Sequence, residues 1–217
     1  MIDIIKNIIL FIFSSLLSFS SLYSQDITFA DKLAYSLNIN LPKTTNNSSF
    51  KSTFNGIIDL DGHIHYKLFD NFEICIGYRY AHFQLNSVIF KDNITGKMEN
   101  HTPILKMSWN KHLSNIVFLK SSLSVGCNFE ITNTNIVNKI YYYNSFYFKP
   151  ELALYMFSTE YLAFGIVFSY NTWLSEFSNY NIFMSAIPGM NANSYKGYSQ
   201  TFCVGFGFYS LIPNKSQ

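Results

Sequence analysis

The sequence predicts an all-β protein, an eight-stranded antiparallel up-and-down β-barrel, on three observations. Aromatic residues make up 18% of the chain and charged residues only 13%, about half the charged share of an ordinary soluble domain. After residue 25, apolar residues alternate with small or polar ones and form no run long enough for a membrane-spanning helix. Short polar breaks recur at nearly equal spacing, which is typical of repeated hairpins.

The N-terminal segment has the three-part layout of a secretory signal peptide. Residues 1–6 contain one lysine, residues 7–19 are almost wholly apolar, and Leu22, Tyr23 and Ser24 precede Gln25. This pattern predicts a signal peptide over 1–24 and a mature β-barrel domain over 25–217. The alternative is an uncleaved anchor, but the apolar stretch is short for a spanning helix and contains several serines.

Three short breaks and four long polar stretches organise the mature chain. The breaks are Phe69-Asp70-Asn71, Leu113-Ser114-Asn115 and Ser158-Thr159-Glu160, and the long stretches cover 42–54, 87–100, 132–142 and 175–196. The segments between them predict strands at 31–41, 55–68, 72–86, 101–112, 116–131, 144–157, 161–174 and 197–212. Short turns at one end and long loops at the other are typical of transmembrane barrels with short periplasmic turns and long extracellular loops. An even strand number then places both termini in the periplasm.

The alternation predicts which side chains face lipid. Large residues from Phe72 to Tyr80 share one face of the third strand, and Glu73, Cys75, Gly77, Arg79 and Ala81 share the other. A secreted, lipocalin-like barrel would turn the large residues inward, but an eight-stranded barrel is only just wide enough for side chains. The large residues are therefore predicted to face lipid, where a closed sheet satisfies every backbone group.

Two further details of the barrel follow from residue type. Pro150 lies in mid-strand and cannot donate to a ladder, so we expect a β-bulge at Lys149-Pro150. Aromatic residues near the two strand ends predict interfacial girdles. They are Tyr66, Phe69, Trp109 and Tyr161 at the short-turn end, and Tyr80, Tyr143, Tyr170 and Trp173 at the long-loop end.

The face assigned to the lumen carries nearly all of the strand charges. Its acids are Asp59, Asp61, Glu73, Glu130 and Glu151, and its bases are Lys67, Arg79, Lys106, Lys120 and Lys149. Isolated charges in a narrow lumen would be strongly desolvated, so pairing is expected. With Phe69-Asp70-Asn71 as a three-residue turn, Leu68 faces Phe72, and the register then predicts Asp61–Arg79 and Lys67–Glu73 ion pairs.

The Asp59-x-Asp61-x-His63-x-His65 stretch is the part of the sequence whose residue types most resemble a metal-binding or catalytic site. All four side chains share one strand face, and a His-x-His pair can chelate zinc. We favour the interpretation that they belong to the lumen network, and we predict no metal, cofactor or catalytic residue. The sequence contains no nucleophile elbow, metalloprotease motif or phosphate-binding glycine loop.

The three cysteines, Cys75, Cys127 and Cys203, do not have metal-knuckle or disulfide-framework spacing. They are interpreted as small residues of the barrel wall. A Cys75–Cys203 bridge across the lumen is the alternative.

The chain resembles the outer membrane protein β-barrel domain family of small eight-stranded barrels. The resemblance rests on the signal ending Ser-Leu-Tyr-Ser-Gln25, the Phe72–Tyr80 alternation and the closing strand from Gln200 to Tyr209. It implies location in the bacterial outer membrane and assembly by the barrel-insertion machinery, but no single activity. Many such barrels end on an aromatic residue, whereas here Pro213 to Gln217 follow the last strand.

Three classes of function stay open. A net charge of +2 shows no basic field, so nucleic acid is not an expected partner. The favoured class is a non-enzymatic barrel with an ion-paired, closed lumen whose outer loops act in surface binding or envelope integrity. The others are an accessory subunit of a larger outer-membrane complex and a lipid-modifying enzyme, which ranks last because Ser121 has no strand histidine near it. Expected partners are outer-membrane lipid and lipopolysaccharide, the barrel-insertion machinery and other outer-membrane proteins.

Overall fold

The computed structural model is a closed antiparallel barrel of eight strands. It describes residues 33–45, 48–86, 95–135, 137–176 and 198–212. The strands are β1 (Leu33–Thr45), β2 (Phe54–Phe69), β3 (Phe72–Leu85), β4 (Gly96–His112), β5 (Val117–Thr134), β6 (Val137–Phe157), β7 (Leu162–Glu176) and β8 (Tyr198–Leu211), with a short helix α1 (Ser48–Thr53) between β1 and β2. Each strand pairs with the next, and β8 closes the barrel on β1. The predicted fold class is confirmed.

Some predicted features lie outside the described residues. These are the signal peptide over 1–24, residues 87–94 of the loop stretch 87–100, most of the loop stretch 175–196 and the tail over 213–217. No helix in the described part of the chain is long and apolar enough to span a membrane.

The predicted facing of the strands is confirmed. On β3, Glu73, Cys75 and Arg79 are buried, whereas Ile74, Ile76 and Tyr78 are exposed. The same alternation runs through β1, where Leu37 and Ile39 point outward and polar residues point inward. Large apolar side chains therefore cover the outer wall, as lipid requires.

The strands extend further at the long-loop end than the sequence predicts. β6 begins at Val137 rather than 144, and Thr134 pairs directly with Val137. The predicted long loop over 132–142 is therefore wrong, and the β5–β6 connection is a tight turn. Asn135 fastens this turn to the start of β4, since its backbone N–H donates to the Thr95 carbonyl (3.0 Å) and its side chain accepts from the Thr95 N–H (2.9 Å). Ladder pairing overrode the loop-like composition.

The first short turn differs in detail but keeps its register. Phe69 pairs with Phe72 around Asp70 and Asn71, and the register shifts between Lys67 and Phe69. The predicted three-residue turn and the Leu68–Phe72 pairing are wrong, because a β-bulge at Leu68 takes up the extra residue. The pairings beyond it, including Asp61 with Arg79, are those predicted.

Pro150 does not produce the expected β-bulge. The β5–β6 ladder passes through the Leu123–Pro150 pair without a register shift. The β6–β7 ladder stops at Phe148 and resumes at Glu151 in the same register. The missing N–H of proline thus interrupts one ladder locally without inserting a residue.

Two apolar clusters lie inside the barrel, one near each end. The cluster at the long-loop end, called the outer cluster, contains Phe50, Phe54, Phe83, Met98, Tyr147 and Trp173. The cluster at the short-turn end, called the inner cluster, contains Ala34, Phe118, Tyr155, Val167, Tyr209 and Leu211. Phe50 comes from α1, and its ring centroid lies 5.6 Å from that of Phe83 and 6.0 Å from that of Trp173. The placement of Trp173 in a girdle is wrong, since it is only 2% exposed.

Candidate functional site

Polar side chains fill the lumen between the two apolar clusters. Of the twelve residues that the sequence assigns to this network, all except Lys67 are buried: Asp59, Asp61, His63, His65, Glu73, Arg79, Lys106, Lys120, Glu130, Lys149 and Glu151. Lys67 lies near the first turn, with its Nζ 3.7 Å from Asp70. Glu130 lies towards the outer end of β5 and accepts a hydrogen bond from Thr132 (3.3 Å). The remaining charges form three clusters.

The outer charged cluster is built around Asp59 and Arg79. The Arg79 guanidinium donates to both Asp59 oxygens, through Nε at 3.1 Å and Nη2 at 2.7 Å. Asn171 donates to the same carboxylate at 3.0 Å. The guanidinium lies over the rings of Tyr147 (4.9 Å) and Trp173 (5.2 Å). This planar group is therefore held by a two-oxygen ion pair and two cation–π contacts.

The central cluster joins two carboxylates to two lysines. Glu151 accepts from Lys106 (2.5 Å) and Lys149 (2.8 Å), and Lys149 also donates to Asp61. Asn38 donates to Asp61 at 2.8 Å. Two negative and two positive groups thus alternate in one connected network, which offsets part of the cost of their burial.

The inner charged cluster, near the short-turn end of the lumen, is centred on Glu73. Its oxygens accept hydrogen bonds from Lys120 (2.6 Å), Asn110 (2.5 Å), Tyr209 (2.8 Å) and Nδ1 of His65 (2.8 Å). A carboxylate can only accept here, so Nδ1 of His65 carries the hydrogen and Nε2 accepts from Ser36 at 2.8 Å. The Lys120 ammonium also lies 4.1 Å from the centre of the Tyr209 ring.

Glycine makes room for this packing where the lumen is narrow. A Cβ atom added to Gly207 would lie 2.4 Å from the Tyr155 hydroxyl and 2.8 Å from Oδ1 of Asn38. Tyr155 donates to Asn38 at 3.2 Å. The absence of a side chain at position 207 therefore allows the inner apolar cluster to reach the central charges.

The register is right for both predicted ion pairs, but the partners are wrong. Asp61 is opposite Arg79 in the ladder, yet Arg79 bonds Asp59 and Asp61 bonds Lys149. Glu73 is opposite Lys67 in the ladder, yet the lysine that forms an ion pair with Glu73 is Lys120 from β5. Long side chains lean along and across the narrow lumen, so backbone register does not by itself select their contacts.

The Asp59-x-Asp61-x-His63-x-His65 stretch is divided among the three clusters. Asp59 belongs to the outer one, Asp61 to the central one and His65 to the inner one. His63 lies with Nδ1 3.4 Å from Asp61, outside hydrogen-bond geometry. The four side chains do not converge on one point.

A different group does converge, namely His65, Glu73 and Cys75. Their ligand atoms lie within 4.8 Å of one another, and Sγ of Cys75 is 2.9 Å from Nδ1 of His65. However, both Glu73 oxygens are occupied by hydrogen-bond donors, and the Lys120 ammonium supplies the positive charge. A metal ion would have to displace Lys120, so these residues are a charge-compensated hydrogen-bond cluster.

Sequence reasoning missed several uncharged members of the network. Asn38, Asn110, Asn171 and Tyr209 each donate to a buried carboxylate. Asn38 could have been found, because it alternates with Leu37 and Ile39 on the first strand. The three cysteines are free: Cys75 and Cys203 are buried and Cys127 is exposed.

The outer wall carries a polar strip on β3 and β4. It comprises Tyr78, Tyr80, His82, Lys97, Glu99 and His101, with Tyr78 bonded to His101 (2.6 Å), Tyr80 to Glu99 (3.2 Å) and Lys97 to Glu99 (3.0 Å). Ser121 is opposite Trp109 and Leu152 in the ladders, whereas His101 is opposite Tyr80 and Phe129. The wall histidines are thus grouped with Glu99 and tyrosines, away from Ser121.

Comparison with known proteins identifies the fold. The sequence matches no protein-family model and no curated protein. Among solved structures, the barrel is similar to Neisserial surface protein A, with a TM-score of 0.55, 8% identity and coverage of 83% of this chain and 97% of that one. It is also similar to the N-terminal barrel of Pseudomonas aeruginosa OprF (TM-score 0.45, 11% identity, 82% and 98% coverage) and to Ail of Yersinia pestis (0.46, 9%, 82% and 97%).

The fold of this chain is therefore that of the small eight-stranded outer-membrane β-barrels. At this level of identity the likeness concerns the fold alone.

Proposed function

We propose that this protein is a non-enzymatic barrel of the bacterial outer membrane, closed to solutes, whose outer surface serves surface binding or envelope integrity. The filled lumen is the observation that carries the proposal. Arg79, Lys106, Lys120 and Lys149 are each at most 2% exposed, and each contacts a carboxylate. Apolar clusters lie on both sides of these ion pairs. Together they leave the lumen occupied by side chains, which favours a closed barrel over a channel.

Conductance measurements test the closed lumen. The purified protein is expected to give no steady ion conductance in planar bilayers and no swelling of liposomes by small sugars. Phe50→Ala is expected to stay non-conducting, because the three charged clusters and the inner apolar cluster still fill the passage. A porin reconstituted in parallel provides the positive control. Steady conductance of the wild-type barrel would contradict the proposal.

Export and topology form part of the same proposal. We infer cleavage of residues 1–24, with the short turns and both termini in the periplasm and the β5–β6 turn outside the cell. The N-terminus of the mature protein is expected at Gln25 by mass spectrometry. An epitope inserted after Asn135 should be labelled on intact cells, whereas an epitope after Gln217 should be labelled only after the outer membrane is permeabilised. Labelling of the C-terminal epitope on intact cells would reverse the orientation.

The apolar and polar regions of the outer wall suit different partners. The apolar band would contact outer-membrane lipid, and the polar strip with Lys97, Glu99 and His101 would contact lipopolysaccharide head groups. Insertion would depend on the barrel-insertion machinery. Deletion of the chromosomal gene is expected to sensitise cells to bile salts and large antibiotics if the barrel serves envelope integrity. Unchanged sensitivity would direct attention to surface binding.

A second candidate is an accessory subunit of a larger outer-membrane complex. One observation favours it: the apolar outer face of β5 and β6 extends beyond the height of the lipid band. A cross-link from that face to a different protein would favour this second function over the first.

A further inference from the structure

The outward face of β5 and β6 is apolar over a greater height than a membrane needs. On β5 the outward residues are mostly apolar from Val117 to Ile131, and on β6 from Ile140 to Met156. At about 3.3 Å per residue and a tilt near 40°, these spans rise about 35 to 40 Å along the barrel axis. The apolar band of an outer-membrane barrel is about 25 Å tall. The excess is roughly 10 to 15 Å.

The neighbouring strand shows where the excess lies. In the β4–β5 ladder, Ile131 is opposite Glu99 and Phe129 is opposite His101. Glu99 forms an outward ion pair with Lys97 at 3.0 Å, and an outward ion pair does not lie in hydrocarbon. Paired residues on adjacent strands are only about 5 Å apart. Ile131 and the residues above it therefore project beyond the lipid.

We propose that this projecting surface binds a second copy of the chain. The surface, here called the hairpin face, consists of Ile131, Ile140 and Tyr142, which project beyond the lipid, and of Cys127, Phe129 and Phe146 just below them. Tyr142 and Phe146 are each 69% exposed, Ile140 is 53% exposed and Phe129 is 45% exposed. Ladder pairing of Cys127 with Phe146, and of Ile131 with Tyr142, joins the six residues into one patch, and Asn144, opposite Phe129, is the polar residue within it. The upper part of this patch faces water, and an exposed apolar patch in water is unusual for a monomer and marks an interaction site.

The absence of charged residues on the described part of this face favours a second copy of the chain as its binding partner. The described outward positions of β5 and β6 carry no Lys, Arg, Asp, Glu or His. A face without charge does not repel an identical face, and it offers no ion to attract a charged head group. A twofold contact needs only one self-complementary patch.

Membrane geometry makes this contact specific. Two copies inserted in the same direction can be related only by a twofold axis along the membrane normal. Each residue then meets residues of the same height, so the two hairpin faces oppose each other. Three half-exposed aromatic side chains and two isoleucines offer roughly 450 Å² per copy. A standard interface uses about 800 Å² per partner, and the apolar wall just below, including Val125 and Phe148, can supply the rest.

Cys127 provides a native reporter of the contact. Its thiol is free and exposed on the hairpin face, whereas Cys75 and Cys203 are buried. Treating intact outer membranes with a short bismaleimide is expected to produce a cross-linked dimer of the full chain on denaturing gels. Cys127→Ser should abolish this band. The Cys127→Ser, Gln84→Cys double variant moves the thiol to an exposed position of β3 and should give no dimer.

A charge on the hairpin face tests whether the contact is specific. Tyr142→Lys places like charges opposite each other and is expected to reduce the cross-linked fraction at least tenfold. The heat-modifiable folded band should stay unchanged, because Tyr142 lies above the lipid. Ile140→Lys serves as a second variant should Tyr142→Lys assemble poorly, and native mass spectrometry in detergent reports the stoichiometry independently.

The opposite outcomes are distinct. A folded wild-type protein that stays uncross-linked and monomeric would overturn the proposal. A Cys127 cross-link to a different protein would also overturn it, and would support the accessory-subunit function instead. Neither result affects the closed lumen, which the conductance measurement tests separately.

Discussion

Arg79→Met is expected to lower the free energy of unfolding by about 3 to 5 kcal/mol, the usual cost of removing one member of a buried ion pair. Arg79 is fully buried and donates to both oxygens of Asp59. Methionine leaves the Asp59 carboxylate in the lumen with only Asn171 and Cys203 as donors. It also removes the cation from the rings of Tyr147 and Trp173. The measurement is a urea titration of the barrel in lipid vesicles, followed by gel mobility of unheated samples.

The double variant Asp59→Asn, Arg79→Met distinguishes ion pairing from packing. Without the carboxylate, no charge is left unpaired, so the double variant is expected to recover more than half of the loss. Lys97→Met is the matched control, because the Lys97–Glu99 pair lies on the outer surface with the Lys97 side chain 51% exposed. Its effect should be within about 1 kcal/mol. Additive losses in the double variant would show that Arg79 and Asp59 act independently.

Phe206→Lys is expected to block assembly of most of the protein, because lysine at the lipid midplane of a barrel costs about 2 to 4 kcal/mol. Phe206 is 69% exposed and lies between Ile39 and Ile166 in the two adjacent ladders, both of which also face outward. The measurement is the fraction of heat-modifiable protein in purified outer membranes. Phe206→Leu keeps the apolar surface and should assemble normally.

Asn133→Lys supplies the positional control for this substitution. Asn133 also points outward, but it is opposite Lys97 above the lipid band. The same new charge should therefore be tolerated at position 133. Equal assembly of Phe206→Lys and Asn133→Lys would contradict the assignment of the outer wall.

These two variants depend on different kinds of information. The outward position of Phe206 follows from alternation in the sequence, because side chains on a strand repeat with period two. The partner of Arg79 does not follow from the sequence. The register correctly sets Asp61 opposite Arg79, but in the lumen the guanidinium bonds Asp59 instead. The charge balance of the lumen could thus be predicted, whereas its connectivity could not.

The hairpin tip shows a second limit of sequence reasoning. Residues 132–142 have a loop-like composition where they leave the membrane, yet most of them continue the β5–β6 ladder. Above the lipid, outward side chains are no longer required to be apolar, so the signal on which strand prediction depends is weakened. Tyr141-Tyr142-Tyr143 falls within or beside the predicted loop, although its aromatic content is typical of a strand.

The sequence by itself determined the strand number, the order of the hairpins, the inward and outward faces and the register of β2 and β3 beyond the first turn. Each of these depends on local spacing, either the two-residue period of a strand or the position of a short turn. Only the tertiary structure decided which acid meets which base, because the partners come from distant strands that barrel closure brings together. Lys149 meets Asp61 across 88 positions of sequence, and Lys120 meets Glu73 across 47. The same closure places Phe50 and Trp173 inside the barrel, and no local sequence pattern predicts this burial.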